Sequence, residues 1–168
     1  VKMYRQLGAE GVVIGILKQD GTLNMEQMEG LMREAEGMSV TLHRAFDVCA
    51  DPFAALEDAV KLGIDTILTS GQKNSCLEGA ELLRKLEEQS AGRICIQAGG
   101  GVSADVIEAL APVTGIRAWH MSGKVTLDSR MQYRKEGVSM GLPSLSEYDI
   151  YRTSAEKIRA AEEVLKRI

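Results

Sequence analysis

Five apolar stretches recur along this chain at nearly one interval. They begin near Val12, Met38, Thr66, Arg93 and Ile116, spacings of 26, 28, 27 and 23 residues. Each interval holds one strand, one helix and two short connections, and a chain that repeats this unit builds a parallel sheet with right-handed crossovers. QLGAEGVVIGIL (6–17) and KLGIDTILTSG (61–71) follow one scheme of helix end, Gly, acidic residue and apolar strand. AGRICIQAGGG (91–101) and VTGIRAWHMSG (113–123) repeat it more loosely.

Five such strands form either an open flavodoxin-type sheet or five-eighths of a (β/α)8 barrel. The two faces of the strands discriminate. Thr41 and His43, Cys95 and Gln97, Ala118 and His120 fall on one side; Val40 and Leu42, Ile94 and Ile96, and Trp119 fall on the other. One small or polar face and one bulky apolar face suits a barrel whose outer face meets helices, whereas a doubly wound sheet reads apolar on both. The expectation is therefore an α/β fold, a TIM (β/α)8-type barrel incomplete here at about five βα units of eight, with residues 1–168 as one domain. The opening VKMYRQLG reads as a helix whose preceding strand is missing.

Helices fill the intervals. Asn24 with Gln27 predicts a capped helix start before Met25, Met28 and Met32, whose helical spacing marks them as packing residues. Asp51-Pro52 predicts a cap followed by a helix to Leu62, Ser75 with Glu78 a helix carrying Leu82, Leu83 and Leu86, and Ser103 a helix carrying Val106, Ile107 and Leu110. Thr153 with Glu156 predicts the start of the last helix.

Charge and thiols limit the function classes. A net charge of −4 and a pI near 5.3 argue against a general nucleic-acid binder, which needs a basic face. No stretch is apolar for long enough to span a membrane. Cys49, Cys76 and Cys95 are odd in number and form no CxxC pair, which fits reduced thiols in a cytoplasmic protein.

Chemistry-bearing residues collect where the strands end, the ligand-binding end of parallel α/β proteins. MSVTLHRAFDVCADP (38–52) delivers His43, Arg44 and Asp47; the third strand ends in Ser70 and Gly71; the fourth in Gly99, Gly100 and Gly101; the fifth in His120, Ser122 and Gly123. The candidate catalytic set is His43, Arg44, Asp47 and His120. Gly99–Gly101, Ser70–Gly71 and Ser122–Gly123 are candidate anion-binding turns, because glycine turns before a helix expose backbone N–H groups. Asp47 could instead orient a cation or bind a metal. Residues alone assign no metal site.

VTLHRAFDVCADP, followed by ALEDAVKLGIDTILTSGQKNSCLEG and ICIQAGGGV, resembles the CutC family of copper homeostasis proteins. VVIGILKQDGTLNMEQM resembles the family's fourth strand and following helix. SRMQYRKEGVSMG (129–141) resembles the segment after its last strand, through Ser129, Met131, Tyr133, Arg134, Val138 and Gly141. The resemblance implies a TIM barrel, a cytoplasmic location, and copper binding or trafficking. It also implies that this chain starts in the third helix and lacks the first three strands, where the family's proposed copper-ligating cysteines lie. Weak copper(I) binding without a preformed site is expected, together with homo-oligomerisation through open sheet edges. The alternative is a barrel enzyme acting on a small phosphorylated or carboxylated substrate, with His43 or His120 as general acid/base and Arg44 pairing the anion. A third reading is a structural remnant with neither activity.

Overall fold

A computed structural model describes residues 1–138, 140–141 and 146–168. Ser139, inside the 129–141 segment of the family resemblance, lies outside the described residues. A short helix α1 (Lys2–Gln6) precedes β1 (Gly11–Ile14), α2 (Met25–Glu34) and β2 (Ser39–Leu42). A 3-10 turn over Arg44–Val48 leads into α3 (Pro52–Leu62), β3 (Thr66–Thr69), α4 (Ala80–Ser90), β4 (Cys95–Ala98), α5 (Ala104–Thr114) and β5 (Ala118–Trp119). The chain then forms β6 (Lys124–Asp128), β7 (Asp149–Thr153) and α6 (Ala155–Leu165).

The first five strands form one parallel sheet in the order β1-β2-β3-β4-β5. Chain order and sheet order coincide, as in a barrel; the 2-1-3-4-5 order of a doubly wound sheet is absent among the described residues. Val40, Leu42, Ile67 and Ile96 are buried on the face that packs with the helices. Each such side chain contributes about 2–3 kcal/mol through removal from water. On the opposite face the registered residues Val13 and Thr41, Thr66 and Cys95, and Leu68, Gln97 and Ala118 are partly or fully exposed, Val13 by 62%. The sheet therefore has one covered face and one bare face.

Local chemistry sets the helix boundaries. Asp51 Oδ1 accepts from the Phe53 and Ala54 N–H groups, Pro52 opens α3, and Gly63 closes it at φ 75°. Asn24 accepts from Gln27 N–H at α2 and Ser103 from Val106 N–H at α5. Two expected caps differ. Ser75 Oγ does accept from Glu78 N–H, but it closes a separate turn, and α4 begins later, after Gly79, with no side-chain cap. Ser154 rather than Thr153 caps α6, because Thr153 is still the last residue of β7.

The β6–β7 hairpin is a second, antiparallel sheet that the sequence pattern did not predict. Lys124 lies over the Tyr151 ring at 4.2 Å across the two strands. Two surface staples tie successive βα units. The Arg93 guanidinium pairs with both Glu57 oxygens at 2.8 Å, and Asp65 Oδ2 accepts from Val40 N–H at 2.7 Å.

Candidate functional site at the strand ends

At the end of β2 the backbone leaves the sheet and tightens into the 3-10 turn. His43 starts that turn: its Nδ1 accepts from Ala45 N–H at 3.0 Å. This acceptor role places the proton of the neutral ring on Nε2. The ring leans over Gly15, just past β1, where an added Cβ would stand 2.7 Å from His43 Cε1 and force the ring to shift.

Asp47 is the hub of the next layer. Its side chain is 7% exposed. It accepts from Thr69 Oγ1, from Ser70 N–H and Oγ, from Gln72 N–H at 3.2 Å, and from Arg44 Nε at 2.6 Å. Burial pushes its carboxyl upward, but the bonds from Thr69, Arg44, Ser70 and Gln72 outweigh burial and hold it below the usual range. Gln72 completes the clamp, with Nε2 donating to the Cys49 carbonyl at 2.9 Å while its own backbone takes a left-handed φ of 56°. HRAFD and TSGQ are thus two halves of one hydrogen-bonded clamp between the β2 and β3 loops.

The clamp's product is a fixed Arg44. Nε is held by Asp47, and Nη2 donates to Ser70 Oγ at 2.8 Å and to the Lys73 carbonyl at 3.5 Å. Nη1 lies 3.7 Å from the position a Cβ on Gly100 would take. Cys76 N–H donates to the Gly100 carbonyl at 2.9 Å, which joins the β3 and β4 loops beneath it. His120, exposed at the end of β5, is beside Gly99, whose added Cβ would meet His120 Cβ at 3.7 Å. His43 and His120 accordingly occupy the same end and the same face of the sheet, three strands apart.

Several expected roles change. Asp47 spends both carboxylate oxygens on internal donors, a clamping role that its place in the sequence did not show. Ser70 and Gly71 are buried, and their N–H groups already donate to Asp47 and to Thr69 Oγ1, so they do not present amides to an anion. Gly99 N–H is consumed by the Thr69 carbonyl. Ser122 and Gly123 face a different cavity of about 520 Å³, which they share with Ser103, Asp105, Lys124 and Lys157. Gly123 packs there against Ile158 of α6. Thr69 and Gln72 fall at the same strand end as Ser70 and Gly71, but sequence reasoning gave them no role. The TSGQ motif was visible, but nothing in it names Asp47 as its partner. A cavity of about 680 Å³ between Pro112, Ile116 and Leu165 lies at the opposite end of the strands and holds none of these residues.

The described residues form no copper cage. Among the described residues no three His, Cys, Asp or Glu side chains gather closely enough to hold a metal ion. Cys49 and Cys76 are buried on separate loops, and Cys95 lies at the start of β4, away from His120. Burial first, and for Cys49 and Cys95 nearby carboxylates second, raises the thiols above their ordinary range, which disfavours the thiolate that ligates metal. The lone pair of His43 Nδ1 is engaged by the Ala45 N–H.

A parallel sheet in chain order, helices on one face and polar residues at the strand C-termini define a partial barrel of the TIM type. The family model described as the CutC family matches residues 1–125. A family protein CutC of Bacteroides thetaiotaomicron is 43% identical over 159 residues, which are 94% of this chain and 64% of that relative. One from Porphyromonas gingivalis is 43% identical over 169 residues, covering 100% of this chain and 68% of its own. The crystal structure of a candidate copper homeostasis protein CutC from Streptococcus agalactiae superposes with a TM-score of 0.67 at 29% identity, over 71% of this chain and 59% of that one. The chain belongs to the CutC family. It spans about 64% of the length of the Bacteroides relative.

Proposed function

We propose that this protein acts in copper homeostasis in the cytoplasm. The observation that carries this reading is the family match over residues 1–125, together with the name of the Streptococcus agalactiae relative. Three free thiols suit a reducing compartment. Copper would be cargo or signal here rather than a resident cofactor, because the described side chains do not form a cage for it. Among the described residues strands β1 and β5 each pair on one side only, so association of chains through these edges belongs to the same proposal. Disruption of the gene tests the role: copper tolerance should change, and the intact gene should restore it. Unchanged growth across a copper series would refute the proposal.

A further inference from the structure

The Arg44 guanidinium is anchored on two of its three nitrogens, Nε by Asp47 and Nη2 by Ser70 and Lys73. Nη1 donates to no protein acceptor among the described residues. It stands beside Gly100, 3.7 Å from where a Cβ there would lie, and that Cβ would press on Ser70 Cβ at 3.2 Å. Gly100 and Gly101 both take left-handed backbones, φ 88° and 79°, that other residues adopt only with strain. Their N–H groups likewise donate to no protein acceptor among the described residues, while the neighbouring Gly99 N–H is used by Thr69. A charged group held rigidly and left with one free nitrogen, next to two free backbone N–H groups, is a set of donors without an acceptor.

The geometry points to a site for the phosphate group of a small phosphorylated molecule, bound by Arg44 Nη1 and the Gly100–Gly101 amides. The choice of phosphate over carboxylate follows from which nitrogens are occupied. A carboxylate is best held by two parallel N–H groups of one guanidinium, and here Nε and Nη2 are already committed. A tetrahedral oxyanion can instead place one oxygen at Nη1 and others at donors from a different loop. Asp47 offsets part of the Arg44 charge, so the affinity is modest. His43 stands at the same end of the sheet, and exposed His120 flanks the glycine turn.

The site stands apart from the copper proposal, and its test does not depend on copper. The full chain, labelled with 15N, is titrated with inorganic phosphate and then with acetate at matched ionic strength. The Gly100 and Gly101 amides are expected to shift saturably with one midpoint, and acetate should be about tenfold weaker. Arg44→Lys should raise the phosphate midpoint about tenfold or more, whereas Lys85→Gln, which removes an exposed positive charge on α4, should leave it unchanged. Should Arg44→Lys fail to fold, the wild-type titration still decides. Shifts that rise linearly without saturation, that centre on the Ser103–Val106 amides instead, or that are equal for acetate would overturn the assignment. So would an unchanged midpoint in a folded Arg44→Lys variant.

Discussion

Replacing Asp47 by Asn removes one charge and almost no volume, so it isolates the clamp. In the wild type, Oδ1 accepts from Thr69, Ser70 and Gln72, and Oδ2 from Arg44 Nε and Ser70 Oγ. The amide oxygen of Asn can keep the Oδ1 set. Its NH2 group then faces the Arg44 N–H, donor against donor. Two charge-assisted bonds are lost or reversed, worth about 1.5–3 kcal/mol each. Arg44 is 46% exposed, and solvent screening reduces its share. The expected loss is about 3 kcal/mol, or about 6–12 °C in Tm for a chain of this size. Urea unfolding monitored through Trp119, with Asp58→Asn on the surface of α3 as a control, measures it. A loss below about 0.5 kcal/mol, the range of ordinary surface substitutions, would show that Asp47 is not the hub described.

The same carboxyl predicts an acid limit. Its folded pKa lies below the unfolded value of about 3.9, so its stabilisation is present above that value and is lost as pH falls through the folded pKa. The stability gap between wild type and Asp47→Asn should therefore shrink below about pH 4. Gln72→Ala should destabilise more than Gln72→Gly: both lose the bonds to Cys49, but only glycine relieves the left-handed backbone, by about 1 kcal/mol. Chemical denaturation of the two variants gives the order. Copper(I) titrated under reducing conditions against a competing chelator should show no tight stoichiometric site. Tight binding lost in Cys49→Ala would contradict that expectation.

The five parallel strands were legible because each βα unit carries its own periodicity and its own punctuation. Gly63 and Gly115 at helix ends, and Asp51 and Ser103 at helix starts, were found where their chemistry required them. The two-faced alternation Val40-Thr41-Leu42-His43 puts the imidazole on the face opposite Val40 and Leu42, where it lies against Gly15. The β6–β7 hairpin was not legible. KVTLD and DIYRT are short, half-polar and separated by a long connection, so no turn signal joins them. The site was read by type and not by use. A sequence shows that Asp47, Ser70 and Gly71 can meet a ligand, but not that they satisfy one another first. That choice depends on contacts 22 to 25 positions apart in the chain.

The ladder between β2 and β3 is short. Only Thr41 with Thr66 and Leu42 with Ile67 are in register there, against four residue pairs between β1 and β2 and four between β3 and β4. The Asp47 clamp bridges this seam just beyond the point where the ladder stops. Side-chain bonding at the rim takes over from backbone bonding in the sheet, and the two halves of the layer hold together through it. The clamp is then a suture between two cooperative blocks. Amide exchange should reveal the blocks as separate opening units once Asp47 is replaced, with the β1–β2 amides losing protection independently of those in β3–β4.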